Sequence, residues 1–487
     1  MLCEKFPEGR IDLRGEHMKK GMRWICLLLA LSLLAMSGCG STGGSDVSDG
    51  ICASPARTGE LASLSDEAYF ADFTPVMRFA VASDVHVADL NSKQEEERLA
   101  QLFDVAYNYA DNYDGYTGLD AAFFVGDVSD RGTPFSLQRF FLIVERNVRE
   151  GTQIRATMGN HEYYDMADVA EWRFLDASDY EDTDAHLVIG GYHFIFLSPD
   201  GNGKSYSKEK QDFLAASLEE AAKDDATGCK PIFVFQHHPV SNTVYGSTTS
   251  WGVEELTSII EKYPQVVDFS GHSHFPMNDP RSIWQGEFTA LGCGTLSYYE
   301  MDLAGVKGDY VFATDREGGW AEKASGVRDA GQFYIVEVDA NHAIRVLGYD
   351  LLSDGWMMDP ITIRCVDEKS CFTYTNARAD VSDAPVFSAD AVVTEEKMTD
   401  GRPQFRFPQA VGEDLVQHYV CTLYSGGKQV AVNYRLACTC YLPVPETLTV
   451  YFAPQKIQSG QEYRLEITPV NAWAVKGEPL VYTFTAK

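Results

Sequence analysis

Apolar and polar positions follow two regimes along this 487-residue chain. From about Pro75 to Ile363, short apolar runs of strand character are interleaved with stretches of helical spacing. The runs are Phe79-Ala80-Val81-Ala82, Ala121-Ala122-Phe123-Phe124-Val125, Ile154-Arg155-Ala156-Thr157-Met158, Ile232-Phe233-Val234-Phe235 and Val266-Val267-Asp268-Phe269. Between them, Leu99, Leu102, Phe103 and Ala106 recur as on one face of a helix, predicting a helix over about Ser92 to Tyr109. Thr133-Pro134 opens another from about Ser136 to Arg149. Ser207 to Lys223 reads as an amphipathic helix that packs back on a sheet. His186 to Ile189 and Tyr192 to Leu197, joined through Gly190-Gly191, predict a β-hairpin. Phe333 to Val338 and Ala343 to Tyr349 close the region around the turn Asp339-Ala340-Asn341. The pattern predicts an α/β domain over residues 71–363, with two sheets sandwiched by helices.

Beyond Pro360 the segments shorten, alternate, and are separated by Gly, Pro and Asn clusters. Gln404 to Phe407, His418 to Leu423, Gln429 to Tyr434, Thr447 to Phe452, Glu462 to Pro469 and Leu480 to Thr485 read as strands. Residues 372–487 are therefore expected to form an all-β immunoglobulin-like sandwich.

The polar residues that follow the apolar runs carry the chemistry. Five blocks stand in order: Asp84-Val85-His86, Gly126-Asp127, Gly159-Asn160-His161-Glu162, His237-His238-Pro239 and Gly271-His272-Ser273-His274. They hold six of the chain's 11 histidines. Their donors are oxygens and imidazole nitrogens, with no thiolate, a set that suits Zn, Mn or Fe. Each block follows a predicted strand, and α/β sheets place their sites at the carboxyl ends of strands. His186, His193, His342 and His418 have no such block and are not expected to be ligands. His238 alternates away from its neighbour on an extended chain and is expected to support the site rather than ligate.

Composition and the N-terminus place this chemistry. Lys19, Lys20 and Arg23 precede an apolar run from Trp24 to Met36, a secretory signal too short to span a bilayer. Residues 1–17 carry no such pattern, and Met18 or Met22 would be a more natural start. Residues 1–38 are thus a leader. Met36-Ser37-Gly38-Cys39 resembles a bacterial lipobox, which would make Cys39 the lipidated first residue of the mature protein. Residues 39–70 would then begin with a flexible tether, Gly40 to Asp49. The expected location is extracytoplasmic and lipid-anchored, or secreted if the cysteine is unmodified. Residues 1–38 carry six Lys or Arg and four Asp or Glu, a net +2, so their loss takes the formal charge from −31 to −33. Such a surface repels polyanions, and nucleic acid is not an expected partner. Of 11 cysteines, removing Cys3, Cys26 and Cys39 leaves eight in the body. Cys365 with Cys371, and Cys421 with Cys438 or Cys440, are candidate disulfides, with buried thiols as the alternative.

The five blocks, their order and their placement after strands resemble the calcineurin-like metallophosphoesterase superfamily over about residues 75 to 360. The resemblance implies a four-layer αββα sandwich and a binuclear centre of two divalent or trivalent ions, Fe, Mn or Zn. One metal would take Asp84, His86, Asp127 and His274, the other Asp127, Asn160, His237 and His272. Asp127 would bridge them, its two oxygens spanning the separation of two-metal sites. A metal-bridging hydroxide would attack phosphorus in line, with catalysis resting on positioning and charge. His161 would assist the leaving group as general acid, oriented by Asp130. Arg131 is a candidate phosphate clamp. The expected substrate is a small phosphodiester or phosphomonoester.

Departures from subfamilies narrow this. Thr157-Met158 stands where the Ser/Thr protein phosphatases carry Leu-Arg before Gly-Asn-His-Glu, so a phosphate-binding arginine is missing. Asp130 stands where purple acid phosphatases carry a tyrosine ligand. Tyr163, Tyr164, Tyr245, Trp251, Tyr298 and Tyr299 follow ligand blocks and could stack a base or sugar. The stretch from Gly460 to Gly477 resembles the last hairpin of a fibronectin type III domain. That sandwich raises an alternative function, a cell-surface binding protein with a vestigial metal centre, its partner unknown.

Overall fold

In the computed structural model, residues 54–487 are described except 226, 249–250, 307–311, 315–319, 323–328 and 399–402; the leader and Cys39 lie outside the described residues. After a short helix α1 (Asp66–Ala71), the first apolar run forms strand β1 (Pro75–Ala82), followed by α2 (Lys93–Asp111), β2 (Ala121–Val125), α3 (Pro134–Asn147) and β3 (Gln153–Thr157). Next come α4 (Ala170–Ser178), the hairpin β4 (Ala185–Ile189) and β5 (Tyr192–Leu197), α5 (Lys208–Asp224), β6 (Ile232–Gln236), α6 (Thr257–Ile260) and β7 (Val266–Ser270). Two short hairpins follow, β8 (Ile283–Gln285) with β9 (Thr289–Gly292) and β10 (Phe312–Thr314) with β11 (Trp320–Glu322). Strands β12 (Gln332–Asp339), β13 (Ile344–Asp350), β14 (Gly355–Trp356) and β15 (Ile361–Ile363) complete the α/β region.

One sheet runs β14-β13-β12-β1-β2-β3, with β15 also on β13, and the other β4-β5-β6-β7-β9-β8. Their inner faces meet in an apolar layer of Phe79, Phe123, Phe194, Phe233, Phe235, Phe269 and Tyr334. Because strand side chains alternate, Ala80, Ala122 and Phe124 face outward, against Leu99, Phe103, Leu137, Phe140 and Phe174 of α2, α3 and α4. On the far side, Ile195, Val234 and Val266 face Leu214 and Leu218 of α5 and Ile260 of α6. The order is helices, sheet, sheet, helices. Helix starts follow their caps: Thr133 Oγ1 accepts from the Ser136 N–H (3.1 Å), with Pro134 in the first turn.

The C-terminal region is all antiparallel. Strands β16 (Thr394–Lys397), β17 (Pro403–Pro408) and β20 (Thr447–Tyr451) form one sheet. The other is formed by β18 (Val416–Ser425), β19 (Lys428–Leu436), β21 (Glu462–Asn471) and β22 (Leu480–Thr485), in the order β19-β18-β21-β22. Phe405, Phe407, Tyr419, Leu423, Leu465, Ile467 and Phe484 fill the space around them. Cys365 and Cys371 are joined in a disulfide. The second candidate bridge is corrected: Cys421 is a buried thiol. It lies in the sandwich core, whereas Cys438 and Cys440 belong to a separate apolar cluster with Tyr245, Phe275, Tyr299, Met301 and Leu303. That cluster is the junction between the sandwich and the α/β region. Among the described residues, no helix is long and apolar enough to cross a membrane.

Candidate metal centre

The five blocks converge where β1, β2, β3, β6 and β7 end. Leaving the strands, the chain turns sharply, and Asp84, His86, Asp127, His272 and His274 all adopt left-handed φ between 48° and 67°. Such a conformation is uncommon outside glycine, and its concentration at five donor residues marks backbone strain held by the surrounding fold. Glycine supplies the close approach: a Cβ on Gly159 would lie 2.3 Å from Asp127 Oδ1, and one on Gly271 would lie 1.9 Å from Ser83 Oγ.

Three groups of donor atoms result: Asp84, His86, Asp127 and His274; Asp127, His237 and His272; and His86, Asp130 and His161. Asp127 belongs to two of them. Asn160 joins the second, its Oδ1 standing 3.1 Å from His237 Nε2. Backbone carbonyls set the imidazole tautomers. His237 Nδ1–H donates to the Val125 carbonyl and His274 Nδ1–H to that of Tyr298, both at 2.9 Å, so each Nε2 turns inward. His237 Nε2 is 3.1 Å from Asp127 Oδ2, and His274 Nε2 is 3.0 Å from Asp84 Oδ1. His86 Nε2 and His274 Nε2 face each other at 3.1 Å. Ring nitrogens locked by carbonyls behind them and aimed at shared carboxylates fit metal ions.

Electrostatics point the same way. Burial would raise the Asp84 carboxyl, but the His274 and His237 charges outweigh it and hold it at about 2; Asp127 is also held well below its usual range. Burial works against a charge on His237, yet Asp127 raises it to about 9, and Asp84 likewise raises His274. Burial and the His237 charge push His272 down to about 3, and burial pushes His86 and His238 well below their usual value. The carboxylates of Asp127 and Asp84 thus favour positive charge on the rings facing them.

His161 lies at the edge, its side chain 18 % exposed, with Nε2 3.9 Å from Asp127 Oδ2. The orienting contact differs from the expected one. His161 Nδ1–H donates to the Asp130 main-chain carbonyl at 2.8 Å, while the half-exposed Asp130 carboxylate stands 3.9 Å from both His161 Nδ1 and His86 Nδ1. The carbonyl is fixed by the turn; the carboxylate is free to face solvent. Arg131 is exposed beyond it, its carbonyl accepting from Asp165. His238 is buried with its ring 4.4 Å from that of His272, outside all three groups.

Glu162 has a role the sequence reading passed over. Wholly buried, its carboxylate accepts from the N–H groups of Asp127 (3.1 Å), Ser129 (2.9 Å) and Gly159 (2.7 Å) and from Ser129 Oγ–H (3.0 Å), tying two blocks together. Burial and the Asp127 charge push its pKa up to about 7. Of the six aromatics, Tyr163, Tyr245 and Tyr299 are buried in packing. Tyr164, Tyr298 and Trp251 border the cluster. The Tyr164 ring is 4.2 Å from His161, Tyr298 is 4.2 Å from His274, and Trp251 is 6.1 Å from His272.

This geometry agrees with the comparison by family, in which the model for calcineurin-like phosphoesterases matches residues 77–276. Residues 77–276 are a calcineurin-like phosphoesterase domain. The chain is accordingly a metal-dependent phosphoesterase, with a candidate metal site at Asp84, His86, Asp127 and His274. No curated protein matches the sequence. Among solved structures, GAP50, the anchor in the inner membrane complex of Plasmodium, is 14% identical over 59% of this chain and 89% of its own, with a TM-score of 0.38. A two-domain fibronectin type III segment from chicken tenascin is 12% identical over 39% of this chain and 97% of its own, with a TM-score of 0.16. Both scores are too low to argue from.

Proposed function

We propose that the calcineurin-like domain hydrolyses a small phosphodiester or phosphomonoester with a pair of metal ions, Fe, Mn or Zn. The observation that carries this reading is the membership of Asp127 in both donor groups. One ion falls to Asp84, His86, Asp127 and His274, the other to Asp127, Asn160, His237 and His272. When bound, the pair supplies Lewis acidity toward the phosphoryl oxygens and an ionised water as nucleophile.

The chain's own residues do the rest. Asp127 would serve both ions, and Asn160 would offer a neutral carbonyl oxygen that adds no charge. His161 keeps its Nδ1 proton on the Asp130 carbonyl, so that in the imidazolium form the second proton, on Nε2, is the one passed to the departing oxygen, leaving the neutral Nδ1–H tautomer behind. General acid help of this kind is worth about 10²- to 10⁴-fold. Tyr164 and Tyr298 wall the mouth with aromatic surface on which an aryl or nucleoside group can lie.

The leader and lipobox pattern support an extracytoplasmic enzyme tethered through Cys39, and the three-plus-four strand arrangement supports a fibronectin type III-like sandwich. The anchoring reading fails if Cys39→Ala still partitions with membranes. The catalytic reading is tested on purified protein with metal analysis and a panel of bis-aryl phosphodiester, aryl phosphomonoester and cyclic nucleotides. Turnover of at least one class is expected; none with full metal occupancy overturns it. His161→Ala should spare an activated aryl leaving group and cripple a poor one, and equal losses on both would remove the acid role.

A further inference from the structure

Residues 293–306 run between the donor cluster and the C-terminal sandwich, and their contacts divide between the two. Toward the cluster, Thr295 Oγ1–H donates to the Asp84 carbonyl at 3.2 Å. The Tyr298 carbonyl accepts from His274 Nδ1–H, and the Glu300 N–H donates to the His274 carbonyl at 3.2 Å. The Tyr298 ring lies against the His274 and His86 rings, at 4.2 and 5.3 Å. Toward the sandwich, Tyr299, Met301 and Leu303 are buried against Leu436, Cys438, Cys440 and Tyr441. The Tyr299 hydroxyl donates to the Cys440 carbonyl at 3.3 Å. Neighbours 298 and 299 thus face opposite ways, one to the metal ligands and one to the sandwich.

A buried side chain of the sandwich fastens this strap. Gln417, near the start of β18, donates from Nε2 to the Tyr245 hydroxyl (3.1 Å) and to the Asp302 carbonyl, and its Oε1 accepts from the Ala304 N–H (3.3 Å). Tyr245 itself donates to the Asp302 carbonyl at 3.0 Å. Removing Gln417 leaves the buried Ala304 N–H without its partner and takes one of two donors from the Asp302 carbonyl, and an orphaned buried group costs more than its bond contributes.

We propose that the sandwich is a structural part of the metal centre, with Gln417 and Tyr299 as positioning residues that hold the 293–306 strap so that it fixes His274. The inference rests on the reading of Asp84, His86, Asp127 and His274 as a metal site. It also assigns the effect to one ion of the two, because the strap bonds to Asp84 and His274 and lays the Tyr298 ring against His86, three members of one donor group. Partners standing behind a ligating histidine govern metal affinity by about 10- to 100-fold.

The test uses the full chain carrying Gln417→Ala or Tyr299→Ala, with metal stoichiometry and chelator competition as readouts. Arg406→Ala is the control, its guanidinium pairing with Glu396 on the other sheet of the sandwich. The expected result is that one ion is held about tenfold or more weakly while the second is retained. The control should keep both. If the alanine variants fail to fold, Gln417→Asn, whose shorter amide withdraws from Asp302 and Ala304, reads out the same contact and should weaken the same ion, wild-type affinity there overturning the proposal; Tyr299→Phe keeps the ring in its packing and should stay near wild type. Two ions held with wild-type affinity in Gln417→Ala and Tyr299→Ala would overturn the proposal. So would parallel loss of both ions, which signals general loosening. Wild-type protein that holds no metal would instead overturn the underlying reading of the site.

Discussion

Replacing Asp268 by asparagine should make the protein progressively more stable than the wild type as pH rises toward neutrality. Asp268 lies in the middle of β7 with no exposure, its carboxylate 3.2 Å from Gln236 Nε2. Burial raises its pKa from 3.8 to about 7, the Gln236 bond offsetting only part of the shift. A folded pKa above the unfolded one means the native chain keeps a proton that the unfolded chain releases. Its contribution is therefore full below about pH 4, declines as pH rises, and is lost beyond about pH 7. Roughly three pH units at about 1.4 kcal/mol each amount to about 4 kcal/mol. Asparagine cannot ionise and keeps an oxygen for Gln236 to donate to. The stability difference between variant and wild type should grow by about that amount between pH 4 and pH 7 and then level off. Urea unfolding of both proteins, followed by circular dichroism with chelator present, isolates the effect, because titrations common to both cancel. A difference that is the same at about pH 4 and about pH 8 would refute the reasoning.

Three further outcomes follow from the site. Glu162→Ala strips the acceptor from the N–H groups of Asp127, Ser129 and Gly159; at about 1–3 kcal/mol for each orphaned group, several kcal/mol of stability should vanish in denaturant titrations. Metal affinity should climb with pH, because binding must displace the imidazole protons that Asp127 and Asp84 hold on His237 and His274. The His237 share of that slope should end near its pKa of about 9, and calorimetry that detects no proton release on binding would contradict it. Gly159→Ala drives a Cβ into Asp127 Oδ1 and should strip both ions from dialysed protein, since Asp127 serves both groups; metal analysis reads the result directly.

What could be read from sequence and what could not divide along a physical line. Strands β1, β2, β3, β6 and β7 announce themselves by apolar runs, and the donors after them are side chains, so both the scaffold and the members of the cluster are legible residue by residue. Helices α3 and α5 begin where Thr133 and Ser207 place a cap. The short pieces escape: β8, β9 and β16 have three or four residues each, too few to establish a period. The site's fine structure escapes for a different reason. The groups that orient His237, His274 and His161 are the main-chain carbonyls of Val125, Tyr298 and Asp130, and a carbonyl has no letter in a sequence. At His161 the main-chain carbonyl of Asp130 stands at hydrogen-bond distance, whereas its carboxylate, the part a sequence displays, stands 3.9 Å away. The same holds for Glu162, visible as one letter of Gly-Asn-His-Glu but functioning through N–H groups up to 35 positions away. Because His237 and His274 are thus aimed by backbone, their placement depends on whatever holds that backbone, and for His274 this is a strap pinned by Gln417 of the sandwich. Residues far beyond position 276, where the family's own pattern stops, are then as much a part of the metal centre's geometry as the ligands themselves.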